Sequence, residues 1–117
     1  FLLGGEAFLE AVKNQKIKMT ESLRAEQNLL MVGTGRIDCY VNDRLSILYE
    51  LKKLASKGEY DGKSITEVHI LGIEKGYLGF NVNAAEPVKA FIEEFNKVIG
   101  TMKASGEIDE IIAKYTQ

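Results

Sequence analysis

The strongest constraint on this chain is a single apolar stripe near its end. Val88, Phe91, Ile92, Phe95, Val98, Ile99 and Met102 recur at the three- and four-residue spacing that puts side chains on one face of a helix. Asn83 and Glu86 ahead of it have the spacing of a capping box, with Asn in place of Ser or Thr. Pro87 falls in the first turn, where its missing N–H matters least. A helix this long and this one-sided needs a surface to cover it. Gly106 interrupts the pattern, and a last short helix follows with Ile108, Ile111, Ile112 and Tyr115.

The first part of the chain has a different rhythm, alternating helical and extended patterns. Phe8, Ala11 and Val12 share one face of a short helix over about residues 5–15. Residues 17–20 then alternate like a short strand. Leu23, Gln27 and Leu30 return to helical spacing, with Leu29, Met31 and Val32 thickening the face, and Gly33 and Gly35 stop it. Residues 37–41 are β-prone and end at Asn42-Asp43. Ile47, Leu48, Leu51, Leu54 and Ala55 make a further helix, which Gly58 closes. Lys52, Lys53 and Lys57 near its end suit the helix dipole. After a polar loop come two extended stretches, 68–73 and 77–81, separated by Lys75-Gly76. The order βαβαβ, then a strand and two helices, predicts an α/β fold with a largely parallel sheet.

The composition excludes more than it identifies. A net charge of −2, with lysines alternating with acids, gives no electrostatic reason to expect nucleic acid. No apolar run approaches the ~20 residues of a membrane span, and Phe1-Leu2-Leu3 lacks the length and charged flank of a signal peptide. The start at Phe1, without methionine, is how a processed or truncated chain would look. Cys39, the single cysteine, cannot form an intrachain disulfide and is expected as a small buried apolar residue. His69 is the single histidine, inside an apolar stretch, and is expected in the core.

One histidine and one cysteine do not make a metal site. There is no G-x-S-x-G, so no nucleophile motif of that kind. Gly33-Thr34-Gly35-Arg36 resembles half a phosphate loop but precedes a strand rather than a helix, so it reads as a helix C-terminal turn. Glu93-Glu94 and Asp109-Glu110 lie opposite apolar stripes and read as solvated faces. These residues predict no catalytic group, no cofactor and no metal.

Two segments carry a family resemblance. Leu29-Leu30-Met31-Val32-Gly33-Thr34-Gly35-Arg36-Ile37-Asp38-Cys39-Tyr40-Val41-Asn42-Asp43 joins a helix ending in Gly-Arg-apolar-Asp to a strand running to an Asp. Phe95-Asn96-Lys97-Val98-Ile99, the break Lys103-Ala104-Ser105-Gly106, and Glu107-Ile108 through Lys114-Tyr115 form the second. Together they resemble the C-terminal part of bacterial extracellular (periplasmic) solute-binding proteins, the polar amino-acid-binding family of ABC transporters.

The resemblance implies a type II periplasmic-binding lobe. Residues 1–73 would form most of the second lobe without its first strand. Residues 74–117 would be the crossover strand and C-terminal helices that pack on the first lobe. It further implies a non-catalytic, periplasmic carrier that closes on a small amino-acid-like solute and delivers it to a membrane permease. Asp43 matches the family's carboxylate for the ligand's ammonium group, and it also stands where it would cap the helix starting at Arg44; the two roles are compatible. The turn for the ligand's carboxylate would fall at or just before Phe1-Leu2-Leu3, leaving the backbone N–H groups of Leu2 and Leu3 but no hydroxyl. Asp38 is expected to bond local backbone N–H groups, and Arg36 to lie on the surface.

The same lobes also occur in ligand-sensing receptor domains and in dehydratases and cell-wall lyases. An enzyme here would have only Asp43 or Glu74 as acid or base near the hinge. With its stripe uncovered, the chain is expected to self-associate.

Overall fold

The computed structural model describes residues 5–73, 75–81, 83 and 86–117, and among them it is all-helical. The helices are α1 (Gly5–Lys13), α2 (Ala25–Gly33), α3 (Arg44–Ser56), α4 (Glu86–Ser105) and α5 (Glu107–Thr116). The chain divides into two compact units. One is built from Phe1–Ile73 with Thr116–Gln117, the other from Glu74–Tyr115.

The expected α/β fold, βαβαβ with a largely parallel sheet, is therefore wrong for this chain. The helical periods fall where helices form, but residues 17–20, 37–41, 68–73 and 77–81 contain no strand. Among the described residues, no backbone hydrogen bond joins one of these stretches to another. An alternating pattern shows which face a strand would present, but a strand exists only when a second edge takes up its N–H and C=O groups. β-propensity depends on that packing context. Without it the side chains stand in solvent: Val68 is 82% and Ile73 91% exposed.

In the first unit α2 packs against α3. The core between them is small. Leu29 from α2 and Leu54 from α3 are the fully buried hydrophobic side chains, each 1% exposed. Both helix ends are closed by local chemistry. Beyond α2, the N–H of Thr34 donates to Leu30 O at 3.0 Å and that of Arg36 to Met31 O at 2.8 Å. Gly35 between them takes φ +70°, which a side chain would resist. The reading of Gly33-Thr34-Gly35-Arg36 as a helix C-terminal turn holds. After α3, Lys57 N donates to the Lys53 and Leu54 carbonyls.

The polar loop after α3 is folded back on itself. Asp61 Oδ1 accepts from the backbone N–H of Lys63 and of Ser64, each at 2.9 Å, and from Ser64 Oγ at 3.0 Å. Tyr60 donates its hydroxyl to Ile65 O at 3.2 Å. The loop approaches the end of α2 closely enough that a Cβ on Gly33 would sit 3.5 Å from Ser64 Oγ.

In the second unit, α4 and α5 are separated at Gly106, whose φ of +82° breaks the helical path. Neither helix has a buried residue. The rings of Phe80, Phe91 and Phe95 form a chain of contacts, Phe80 edge-on to Phe91 at 6.1 Å and Phe91 to Phe95 at 5.9 Å. The expected Asn83–Glu86 capping box is not formed. The N–H of Asn83 is taken by Asn81 Oδ1 at 2.8 Å, and the Glu86 carboxylate pairs with Lys89 at 2.7 Å. Pro87 does lie in the first turn of α4.

Candidate functional site

Asp43 is the residue around which a binding site has to be built. It is the N-cap of α3, in extended conformation (φ −61°, ψ 134°), and is exposed. Its Oδ1 accepts from the backbone N–H of Ser46 at 2.9 Å and from Ser46 Oγ at 3.0 Å. That satisfies one of the free N–H groups of the first turn. Both bonds use the same oxygen. Oδ2 accepts no hydrogen bond among the described residues, so a capping Asp43 still offers an anionic oxygen to solvent.

The charge next to it is already engaged. Arg44 makes a two-pronged contact with Glu67, its Nε 2.7 Å from Oε2 and its Nη2 against Oε1. This is the fork geometry in which a guanidinium meets a carboxylate best. The hydrogen bond from Arg44, reinforced by its charge, lowers the Glu67 pKa, and the same contact raises that of Arg44. The pair spans 23 residues and ties the stretch after the polar loop to the first turn of α3. It also removes Arg44 as a competitor for the Asp43 carboxylate.

A hollow in the first unit lies elsewhere. A shallow cleft of about 180 Å³ lies between the α2–α3 contact and the polar loop, lined in part by Leu29, Leu54, Tyr60, Asp61, Ser64 and Ile65. Ligand pockets usually run from ~300 Å³ upward with convergent polar groups. Several of its polar groups are spent locally: Asp61 on Lys63 and Ser64, Tyr60 on Ile65, and Thr34 Oγ1 on the Leu30 carbonyl at 2.8 Å. Asp43 does not line this cleft.

The other expected residues are distributed as follows. Leu2, Leu3 and Glu74 lie outside the described residues. Arg36 is exposed as expected. Cys39 is not buried but exposed, and His69 is not a core residue but exposed. Both corrections have one cause: the stretches that carry them form no sheet, so neither has an inner face. Asp38 makes no bond to local backbone among the described residues, because residues 37–41 make no tight turn there.

Sequence reasoning missed the Arg44–Glu67 pair and the Asp61 turn. The pair has no signal in spacing. The turn has one, since Asp61-Gly62-Lys63-Ser64 is the pattern of an Asx turn.

Among the described residues, no group of three or more His, Cys, Asp or Glu could hold a metal ion. No helix among them is long and apolar enough to cross a membrane. Compared with known protein families, curated proteins and solved structures, the chain has no match.

Proposed function

We propose that this chain is a non-catalytic, periplasmic binding element, part of a solute-binding protein that captures a small amino-acid-like molecule for a membrane permease, with Asp43 as the anchor for the ligand's ammonium group. The support is local, not architectural. It rests on the two sequence segments, 29–43 and 95–115, and on the state of the Asp43 carboxylate.

The observation that carries it is the division of labour within that carboxylate. Oδ1 holds the Ser46 N–H and hydroxyl, which fixes the side chain's direction, while Oδ2 is left for a cation. A fixed anion is what an ammonium group leaving water requires. Removing one partner of such a pair costs on the order of 2–5 kcal/mol where the site is desolvated. The Arg44–Glu67 pair keeps the nearest guanidinium off that oxygen.

The test separates cap from anchor. Asn caps a helix about as well as Asp, so Asp43→Asn keeps the fold and removes the charge. Calorimetric titration with a panel of amino acids at millimolar concentration should show heat for at least one solute. That heat should be lost in Asp43→Asn at unchanged thermal stability. Equal affinity in the variant would take Asp43 out of the site, and no heat from any solute would sink the reading.

A further inference from the structure

Asp61-Gly62 is the one Asp-Gly pair in the sequence, and such a pair has a chemistry of its own. The backbone nitrogen of Gly62 can attack Cγ of Asp61, since glycine has no Cβ to crowd the approach. The new N–Cγ bond closes a succinimide, and the carboxyl OH leaves as water with the Gly62 amide proton. A second water then opens the ring. Opening at Cγ restores aspartate. Opening at the Asp61 backbone carbonyl leaves the main chain running through Cγ, as isoaspartate. Water is the only other reactant.

The structure opposes ring closure at one atom. Oδ1 of Asp61 accepts from the N–H of Lys63 and of Ser64, each at 2.9 Å, and from Ser64 Oγ at 3.0 Å. Attack requires the neutral carboxyl, because its OH must leave and a carboxylate carbon is a poor electrophile. Hydrogen bonds to an ionised acceptor are the stronger ones, so three donors favour the unreactive carboxylate. The Asp61 pKa is lowered accordingly, by the Lys63 N–H first and by Ser64 next. Ring closure also turns Cγ away from a staggered position, and the same bonds resist that rotation. The turn cannot dispense with the reactive pair, because Gly62 takes φ +76°, which a side chain would resist. Both residues are exposed, so water reaches the ring.

We propose that Asp61-Gly62 is a covalent modification site, where the chain converts slowly to isoaspartate at a rate set by the hydrogen bonds on Asp61 Oδ1. Conversion adds Cβ to the main-chain path and puts the carboxylate directly on Cα, so the Asp61 turn cannot re-form. Tyr60, Asp61, Ser64 and Ile65 line the cleft beside the buried Leu29 and Leu54. Loss of the turn therefore loosens that side of the first unit. The inference does not depend on the solute-binding reading, and its test needs no solute.

The whole chain, its Ser64→Ala and Ser64→Thr variants and a free peptide of residues 58–66 are aged at neutral pH and body temperature. Trypsin cuts after Lys57 and Lys63, and chromatography with electron-transfer fragmentation separates the aspartyl and isoaspartyl forms of residues 58–63. The free peptide should convert fastest and the native chain several-fold more slowly. Ser64→Ala, which removes one of the three hydrogen bonds, should convert faster than the native chain with unchanged far-ultraviolet circular dichroism. Ser64→Thr keeps the hydroxyl and should match the native chain. The isolated isoaspartyl form should unfold at lower urea than the unconverted chain. Equal rates in the native chain and Ser64→Ala would take control away from these hydrogen bonds. If both stayed aspartyl while the free peptide converted, the site itself would be overturned.

Discussion

Lys57, the C-cap of α3, places its Nζ 2.9 Å from Oε1 of Glu26 in the first turn of α2. Each charge sits at the helix end that favours it, the acid at an N-terminus and the base at a C-terminus. The contact joins the two helices that hold the small core. The hydrogen bond from Lys57 and its charge lower the Glu26 pKa, with smaller help from Lys53 and Arg24.

Acid should therefore loosen the first unit in a defined direction. Three of its carboxyl groups are held below the ordinary range: Glu26 by Lys57, Glu67 by Arg44, and Asp61 by the backbone N–H groups of Lys63 and Ser64. A carboxyl whose folded pKa is depressed binds its proton more readily in the unfolded chain. Its stabilisation is full above the unfolded value, near 4, and is lost as pH falls through the folded value. All three are exposed enough that each contribution is small. The urea midpoint should be nearly level from about pH 7 to 5 and lower at about pH 3. Lys57→Met should flatten that fall. A midpoint unchanged down to pH 3 would show that these contacts do not persist in solution.

The buried pair Leu29 and Leu54 should dominate the first unit's stability, because it has so little else. Leu-to-Ala changes at fully buried sites typically cost about 2–5 kcal/mol. A unit with two fully buried leucines has a narrow margin, so Leu54→Ala should unfold it at room temperature. Leu48→Ala on the same helix, at a site 37% exposed, should cost well under half as much. Far-ultraviolet circular dichroism with urea titration distinguishes these outcomes. Equal losses would mean that burial is not what holds α3 in place.

The helices were legible in the sequence because their signals are local. The stripe from Val88 to Met102, the breaks at Gly58 and Gly106, and the cap at Asp43 each depend on neighbours within a few residues. The expected sheet does not form because alternation at residues 17–20 or 68–73 states only a preference, and pairing is a property of two segments at once. The same absence governs Cys39 and His69, whose expected burial assumed a sheet face. Asp43 came through it because a cap needs only the helix that follows. The contacts from Arg44 to Glu67 and from Lys57 to Glu26 join distant stretches, and no spacing announces them.

Two glycines at the end of α2 should respond in opposite ways to the same substitution. Gly33 is the last residue of the helix and has ordinary helical backbone; a Cβ there would meet Ser64 Oγ at 3.5 Å and Ile65 Cδ1 at 3.8 Å, both normal contacts. Gly-to-Ala in a helix gains up to about 1 kcal/mol through backbone entropy, so Gly33→Ala should raise the urea midpoint. Gly35, two residues on, has open space around it but φ +70°. An L side chain in that left-handed conformation is disfavoured by about 1–2 kcal/mol, so Gly35→Ala should lower the midpoint even though nothing collides. If Gly33→Ala instead destabilised the unit while Gly35→Ala left it unchanged, space rather than backbone conformation would control this corner. The approach of the Tyr60–Ile65 loop to α2 would then be tighter than 3.5 Å implies.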